Sequence, residues 1–128
     1  DLDRFDADAT VDIDTLLARA DIVSINLTLG DETRGVLSAE RIARMKKGVI
    51  YVNTARGALA DEAVLIAALK SGHIRHAGLD VFHNEPLPPD HALTKLENVT
   101  LSAHAAFRTP EASETLLRRA IDIVKSIS

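Results

Sequence analysis

The sequence predicts an α/β fold, a doubly wound parallel sheet of about four strands with flanking helices. Two observations carry the prediction. Short apolar runs alternate with segments of helical periodicity along the chain. The runs are continuously apolar rather than alternating, as strands covered on both faces read. Strand–helix–strand repetition of this kind calls for crossover connections.

Four segments read as strands: 20–27, 48–53, 76–81 and 98–102, the second rich in β-branched residues. Helical stretches fall between them. Asp14 is expected to cap a short helix through Leu16, Leu17 and Ala20. Ser38 would cap one through Ile42 and Met45, and Asp61 one through Leu65 and Leu69, with Gly72 just past its end. Thr109-Pro110-Glu111 marks another start, with proline at the first helical position and a stripe of Leu117, Ala120, Ile121 and Val124. The stretch from Phe82 to Lys95 is different. Its three prolines, Pro86, Pro88 and Pro89, fix φ and remove donors, so Glu85–Asp90 can be neither helix nor ladder strand. Ordered loops of such length are often functional.

Composition narrows the function classes. The 128 residues suit one domain, and 46% hydrophobic content suits a packed core rather than disorder. Acidic and basic residues are interspersed at a net charge of −4, with no Lys/Arg track for phosphates, which disfavours nucleic-acid binding. No apolar run reaches membrane-spanning length and no leader pattern opens the chain, so no membrane partner is expected and a cytoplasmic location is. Without cysteine there is no disulfide scaffold, thiolate zinc site or cysteine nucleophile. The acidic start, lacking Met, suggests a truncated chain.

In open parallel sheets, ligands bind beyond the carboxyl ends of the strands. Here those ends carry Asn26-Leu27-Thr28, Asn53-Thr54-Ala55-Arg56-Gly57, Asp80 with the Glu85 loop, and Ser102-Ala103-His104. An arginine, a glutamate and a histidine at one rim could form an acid–base site with an anion anchor. Arg56 could hold the carboxylate and carbonyl of a 2-oxo acid through its planar fork. His104 could pass a proton to or from the substrate oxygen, and Glu85 could orient the ring and favour the imidazolium. Each residue also has a plainer reading: surface ion pair for Arg56, solvated loop carboxylate for Glu85, structural hydrogen bond for His104, strand cap for Asp80, ordinary turn residues for Thr28 and Thr54. His73, His76, His83 and His91 read as exposed loop residues, and no metal site is expected.

The order of motifs adds to this. Ala20-Asp21-Ile22-Val23-Ser24, Glu32-Thr33-Arg34-Gly35, Met45-Lys46-Lys47-Gly48, Val52-Asn53-Thr54-Ala55-Arg56-Gly57, Asp61-Glu62-Ala63, Gly78-Leu79-Asp80-Val81-Phe82, Glu85-Pro86-Leu87-Pro88, Asn98-Val99 and His104 follow one another. Over residues 12–125 the chain resembles the D-isomer-specific 2-hydroxyacid dehydrogenase family, in the later part of its Rossmann-type cofactor domain. The resemblance implies NAD or NADP as cofactor and a small 2-oxo or 2-hydroxy acid as substrate. It implies that Arg56 holds the substrate carboxylate and that Glu85 and His104 are the acid–base pair. Asp80 would lie near the nicotinamide carboxamide, and Ala106 and His104 beside the nicotinamide. Thr54, Ala55 and Arg56 would lie against the cofactor, and Leu27, Thr28 and Thr33 near its adenosine half. Family members usually work as dimers, and some serve instead as nucleotide-sensing co-repressors, so a non-catalytic binding or interaction module is the alternative.

The departures are specific. The 128 residues contain no Gly-x-Gly-x-x-Gly turn to hold a pyrophosphate and no acidic residue closing a second strand, unless Asp1 or Asp3 is its remnant. Asn26-Leu27-Thr28 stands where the family often has His-x-Pro, and Ala106 where it usually has glycine. The expectation is a partial dinucleotide-binding domain over 1–128 lacking the Gly-loop strand and the substrate domain. It would be weak or inactive alone, with an open strand edge around Val23 and Ile25 that pairs with another copy or with the missing part.

Overall fold

The computed structural model describes residues 11–126. Asp1 and Asp3 lie outside them. Four helices and four strands follow in chain order: α1 (Ile13–Arg19), β1 (Ile22–Ile25), α2 (Ala39–Arg44), β2 (Val49–Asn53), α3 (Glu62–Lys70), β3 (Ile74–Leu79), β4 (Val99–Leu101) and α4 (Pro110–Ser126). The strands form one parallel sheet in the order β1-β2-β3-β4. Space order thus equals chain order, and the sheet is a single winding of the doubly wound arrangement. Among the described residues β1 pairs with β2 alone and forms one border. α2 carries the first crossover and α3 the second. The third is the proline-rich loop, whose only helical turn is a 3-10 turn at Ala92–Lys95.

Local chemistry explains most boundaries. Ser38 and Asp61 accept the backbone N–H of Arg41 and Val64, capping α2 and α3. Thr109 Oγ1 accepts the N–H of Ala112 at the start of α4. Gly72, with φ +73°, ends the turn after α3 in a conformation that other residues enter at a cost. Two expectations are corrected. The cap of α1 is Asp12, which accepts from both the backbone and hydroxyl of Thr15. Asp14 lies inside the first turn and pairs with Arg41 at 3.1 Å and Arg44 at 3.7 Å on α2. β3 starts at Ile74, two residues earlier than the apolar run suggests, and leaves the sheet after Leu79. Exposed Arg75 masks this start in the sequence, although Ile74 itself is fully buried.

The core lies where the helices meet the sheet. Leu17, Leu37, Val49, Tyr51, Leu59, Leu69, Ile74 and Leu93 are its largest fully buried side chains. Burying an aliphatic side chain of this size contributes about 1.5–3 kcal/mol. A bridge between Leu37 and Ala60 ties the segment before α2 to the one before α3. α4 stands apart, because none of its residues is buried. No helix among the described residues is long and apolar enough to cross a membrane.

Candidate active site

The carboxyl end of β2 is shaped by Asn53, which is 2% exposed. Its side-chain amide donates to the Arg56 carbonyl at 3.0 Å, and its oxygen accepts the Ala55 N–H at 3.0 Å. The turn is thereby closed from inside, and a 3-10 turn at Gly57–Leu59 follows. The Arg56 guanidinium is exposed and donates to the Ala55 carbonyl at 2.6 Å. A cavity of about 290 Å³ opens beside it, lined by Asn26, Leu27, Thr28, Leu29, Ala55 and Arg56. Thr33 is not in its wall. Its hydroxyl donates to the Thr28 carbonyl at 2.6 Å and accepts the Gly30 N–H at 2.8 Å, so it shapes the loop that forms the wall. Thr54 is exposed and likewise outside the lining.

The ends of β3 and β4 are joined through Asp80, also 2% exposed. Its carboxylate accepts from the Ser102 hydroxyl at 2.6 Å and from the N–H groups of Ala105 and Ala106 at 2.9 and 2.8 Å. Its carbonyl accepts the His104 N–H at 2.8 Å. Burial opposes this charge most strongly. The three donors and the nearby His104 together outweigh it, and the Asp80 pKa lies below the ordinary aspartate value. The four bonds hold His104 at φ +49°, a left-handed backbone unusual for a residue with a side chain.

Held this way, His104 meets the proline loop. Its Nδ1 lies 2.7 Å from Glu85 Oε2, while Glu85 Oε1 accepts the Phe82 N–H at 2.9 Å. The Glu85 pKa is lowered, first by the bond to His104, then by the Phe82 N–H, with His104 and Arg56 adding charge attraction against a desolvation cost. Glu85 is therefore ionised at neutral pH, and an ionised carboxylate only accepts, so Nδ1 carries a hydrogen. In the neutral ring Nε2 is then the basic nitrogen, and in the imidazolium it is the acidic one. Phe107 stands edge-on to the imidazole, with centroids 6.3 Å apart and planes at 86°. A second cavity of about 380 Å³ opens at the pair, walled by Phe82, Pro86, Leu87 and Leu101.

Glu85 and His104 are thus in direct contact. Arg56 lines the neighbouring cavity, near enough for its charge to act on Glu85. Ala55, Leu27 and Thr28 share the Arg56 cavity, and Ala106 is fixed by Asp80. Of the remaining histidines, expected as exposed loop residues, His83 is one, whereas His73 and His91 are half-buried and His76 lies half-buried in β3; all four side chains make contacts. His73 Nε2 contacts the Ile42 carbonyl at 3.0 Å, His76 the Thr100 hydroxyl at 2.9 Å, and His83 the Ala60 carbonyl at 3.0 Å. His91 caps the Leu93 N–H and lies 3.4 Å from Glu62. No group of three His, Asp or Glu among the described residues could hold a metal ion. Asn53, Ser102 and Phe107 were not singled out from the sequence. An asparagine ending a strand before a turn is a readable signal for the first. The other two are set by contacts distant along the chain.

Residues 2–106 match the family described as D-isomer specific 2-hydroxyacid dehydrogenase, NAD binding domain. The chain belongs to this family. It is 50% identical over 105 residues to a glyoxylate reductase of Thermofilum pendens, covering 82% of this chain and 31% of that protein. It is 39% identical to a glyoxylate reductase of known structure from Paecilomyes thermophila, at a TM-score of 0.84 over 91% of this chain and 35% of that one. A Xanthobacter autotrophicus Py2 dehydrogenase solved in complex with NADPH and MES is 48% identical, with a TM-score of 0.70 over 72% of this chain and 30% of that one. The chain spans about a third of the length of the curated relatives it matches.

Proposed function

We propose that these 128 residues are part of the cofactor domain of an enzyme that reduces a small 2-oxo acid such as glyoxylate or hydroxypyruvate, and that they supply its proton-transfer pair. The observation that carries the reading is the 2.7 Å contact between His104 Nδ1 and Glu85. It fixes the tautomer and leaves Nε2 for the substrate oxygen. In reduction, imidazolium Nε2 gives its proton to the carbonyl oxygen; in oxidation, neutral Nε2 takes the hydroxyl proton. Glu85 stays ionised in both directions and holds the ring in place. Arg56 exchanges its bond to the Ala55 carbonyl for the substrate carboxylate, to which its fork can bond twice.

The residues at the rim fit a nicotinamide cofactor. The cavity of Arg56 and Thr28 lies beyond the carboxyl ends of β1 and β2 and has both polar and apolar walls, as such a site requires. Leu27, Thr28 and Ala55 would hold the cofactor there, with Ala106 close to its reacting end and Thr33 and Asp80 fixing the loops behind. When bound, NAD(P)H supplies the hydride. Family relatives named glyoxylate reductase support the substrate class, and the NADPH complex supports the cofactor class.

The test is NADPH-dependent reduction of glyoxylate, followed with the chain alone and with the remaining part of a glyoxylate reductase added in trans. Turnover on complementation is expected, and His104→Asn should reduce it by about 10²–10⁴-fold. Asparagine tolerates the left-handed backbone, so the loss would not be one of folding. Unchanged turnover in His104→Asn, or partner binding without any nucleotide dependence, would replace the enzyme with a non-catalytic module.

A further inference from the structure

We propose that Gly57 is a positioning residue, the point at which the Arg56 turn and the Glu85 loop are held in register. The proposal rests on the roles just given to Arg56, Glu85 and His104, but its geometry stands independently of them. A Cβ built on Gly57 would clash with the carbonyl carbon of Phe82, and would lie 2.5 Å from the Phe82 oxygen and 2.7 Å from the His83 nitrogen. These are backbone atoms, which cannot rotate away as the end of a side chain can. The backbone of the proline loop therefore occupies the space that a side chain at position 57 would need.

Both partners of the contact are anchored. The Arg56 side of the contact is fixed from within: Asn53 bonds across the turn, Leu59 and Ala60 are buried, and Ala60 bridges to Leu37. The loop side is held too, with Val81 and Leu93 buried on either side of it. His83 Nε2 lies 3.0 Å from the Ala60 carbonyl, and His91 lies 3.4 Å from Glu62 at the start of α3. A side chain at position 57 must therefore force the loop and the Arg56 turn apart. The segment displaced contains Phe82, whose N–H holds Glu85 Oε1, so the carboxylate that grips His104 moves with it. Glycine at 57 sets how far the anion anchor stands from the acid–base pair, and the His83 contact keeps the loop seated.

The experiment follows the Glu85 side-chain carboxyl by ¹³C NMR titration in the 128-residue chain, and oxalate binding through the His104 ring signals. Gly57→Ala should move the Glu85 midpoint up toward the ordinary glutamate value, as the bonds from Phe82 and His104 loosen. It should also weaken oxalate binding by about tenfold, the loss expected for one charge-assisted hydrogen bond. His83→Ala should shift the midpoint in the same direction by less. Gly30→Ala, where a Cβ would meet nothing within 4 Å, is the control and should move neither readout. A glycine with a merely structural role would lower Tm and leave the midpoint of the folded variant in place, which would overturn the proposal. If Gly57→Ala does not fold, an unchanged midpoint in His83→Ala overturns it. Failure of oxalate to bind the unsubstituted chain would count against the substrate reading, and the Glu85 midpoints would still decide the role of Gly57.

Discussion

Glu85 and His104 lie nineteen positions apart in sequence and share one short hydrogen bond, so a local change at either is felt by the other. The lowered pKa of Glu85 has a consequence for acid stability. Its folded pKa lies below its unfolded one, so its stabilising contribution is complete above the ordinary glutamate range and is lost as pH falls through the folded value. Thermal melts against pH should therefore show Glu85→Gln below the parent chain at neutral pH, with the two Tm curves converging below about pH 4. Tyr51 gives a prediction of opposite sign. Its ring is fully buried and, among the described residues, its hydroxyl meets no partner in good hydrogen-bond geometry; burial pushes its pKa well up, and a weak side-chain interaction with Asn53 only partly offsets this. An unpaired buried hydroxyl costs about 1–3 kcal/mol, so Tyr51→Phe should raise Tm by a few degrees. A fall in Tm would mean that the hydroxyl has a partner in solution. Arg56, Glu85 and His104 were legible as candidates because titratable side chains interrupt apolar runs at strand ends. The role of Asp80 as the anchor of the His104 turn was not, because its donors come from more than twenty residues downstream.

At the scale of the elements, the rim is built by turns rather than by the strands themselves. Ser38 and Asp61 were readable as caps because each precedes a helical stripe. At α1 both Asp12 and Asp14 satisfy that rule, and the bonds of Asp12 to Thr15 and the ion pairs of Asp14 with α2 separate them. Asp61→Ala should lower stability by about 1 kcal/mol, read from denaturant midpoints. The same change at Asp14 removes its pairs with Arg41 and Arg44, which are partly solvated, and should cost less. The proline loop was legible as a loop but not as a partner of α3. That docking depends on a glycine 25 residues before Phe82 and on two histidines whose contacts no local pattern announces.

Across the whole molecule, the sheet and its crossovers followed from the alternation of segments, whereas the standing of α4 did not. Its stripe of Leu117, Ala120, Ile121 and Val124 reads like that of a helix packed on a core, yet every residue of α4 is exposed or outside the buried set. Periodicity reports that a face is apolar and says nothing of what covers it. Ending the chain at Arg108 should accordingly leave Tm within a few degrees of the parent, and a large loss would show that α4 docks on the sheet in solution. The strand order has its own consequence for how the molecule is made. Among the described residues each strand after β1 pairs with the one before it, so within these four no later strand has to be threaded between two already joined. The parallel pairs still span long stretches of chain, as Ile22 with Ile50, which slows each closure. What the order removes within these four strands is the need to undo a completed pairing, and His104, which follows β4, is the last of the three proposed site residues to arrive.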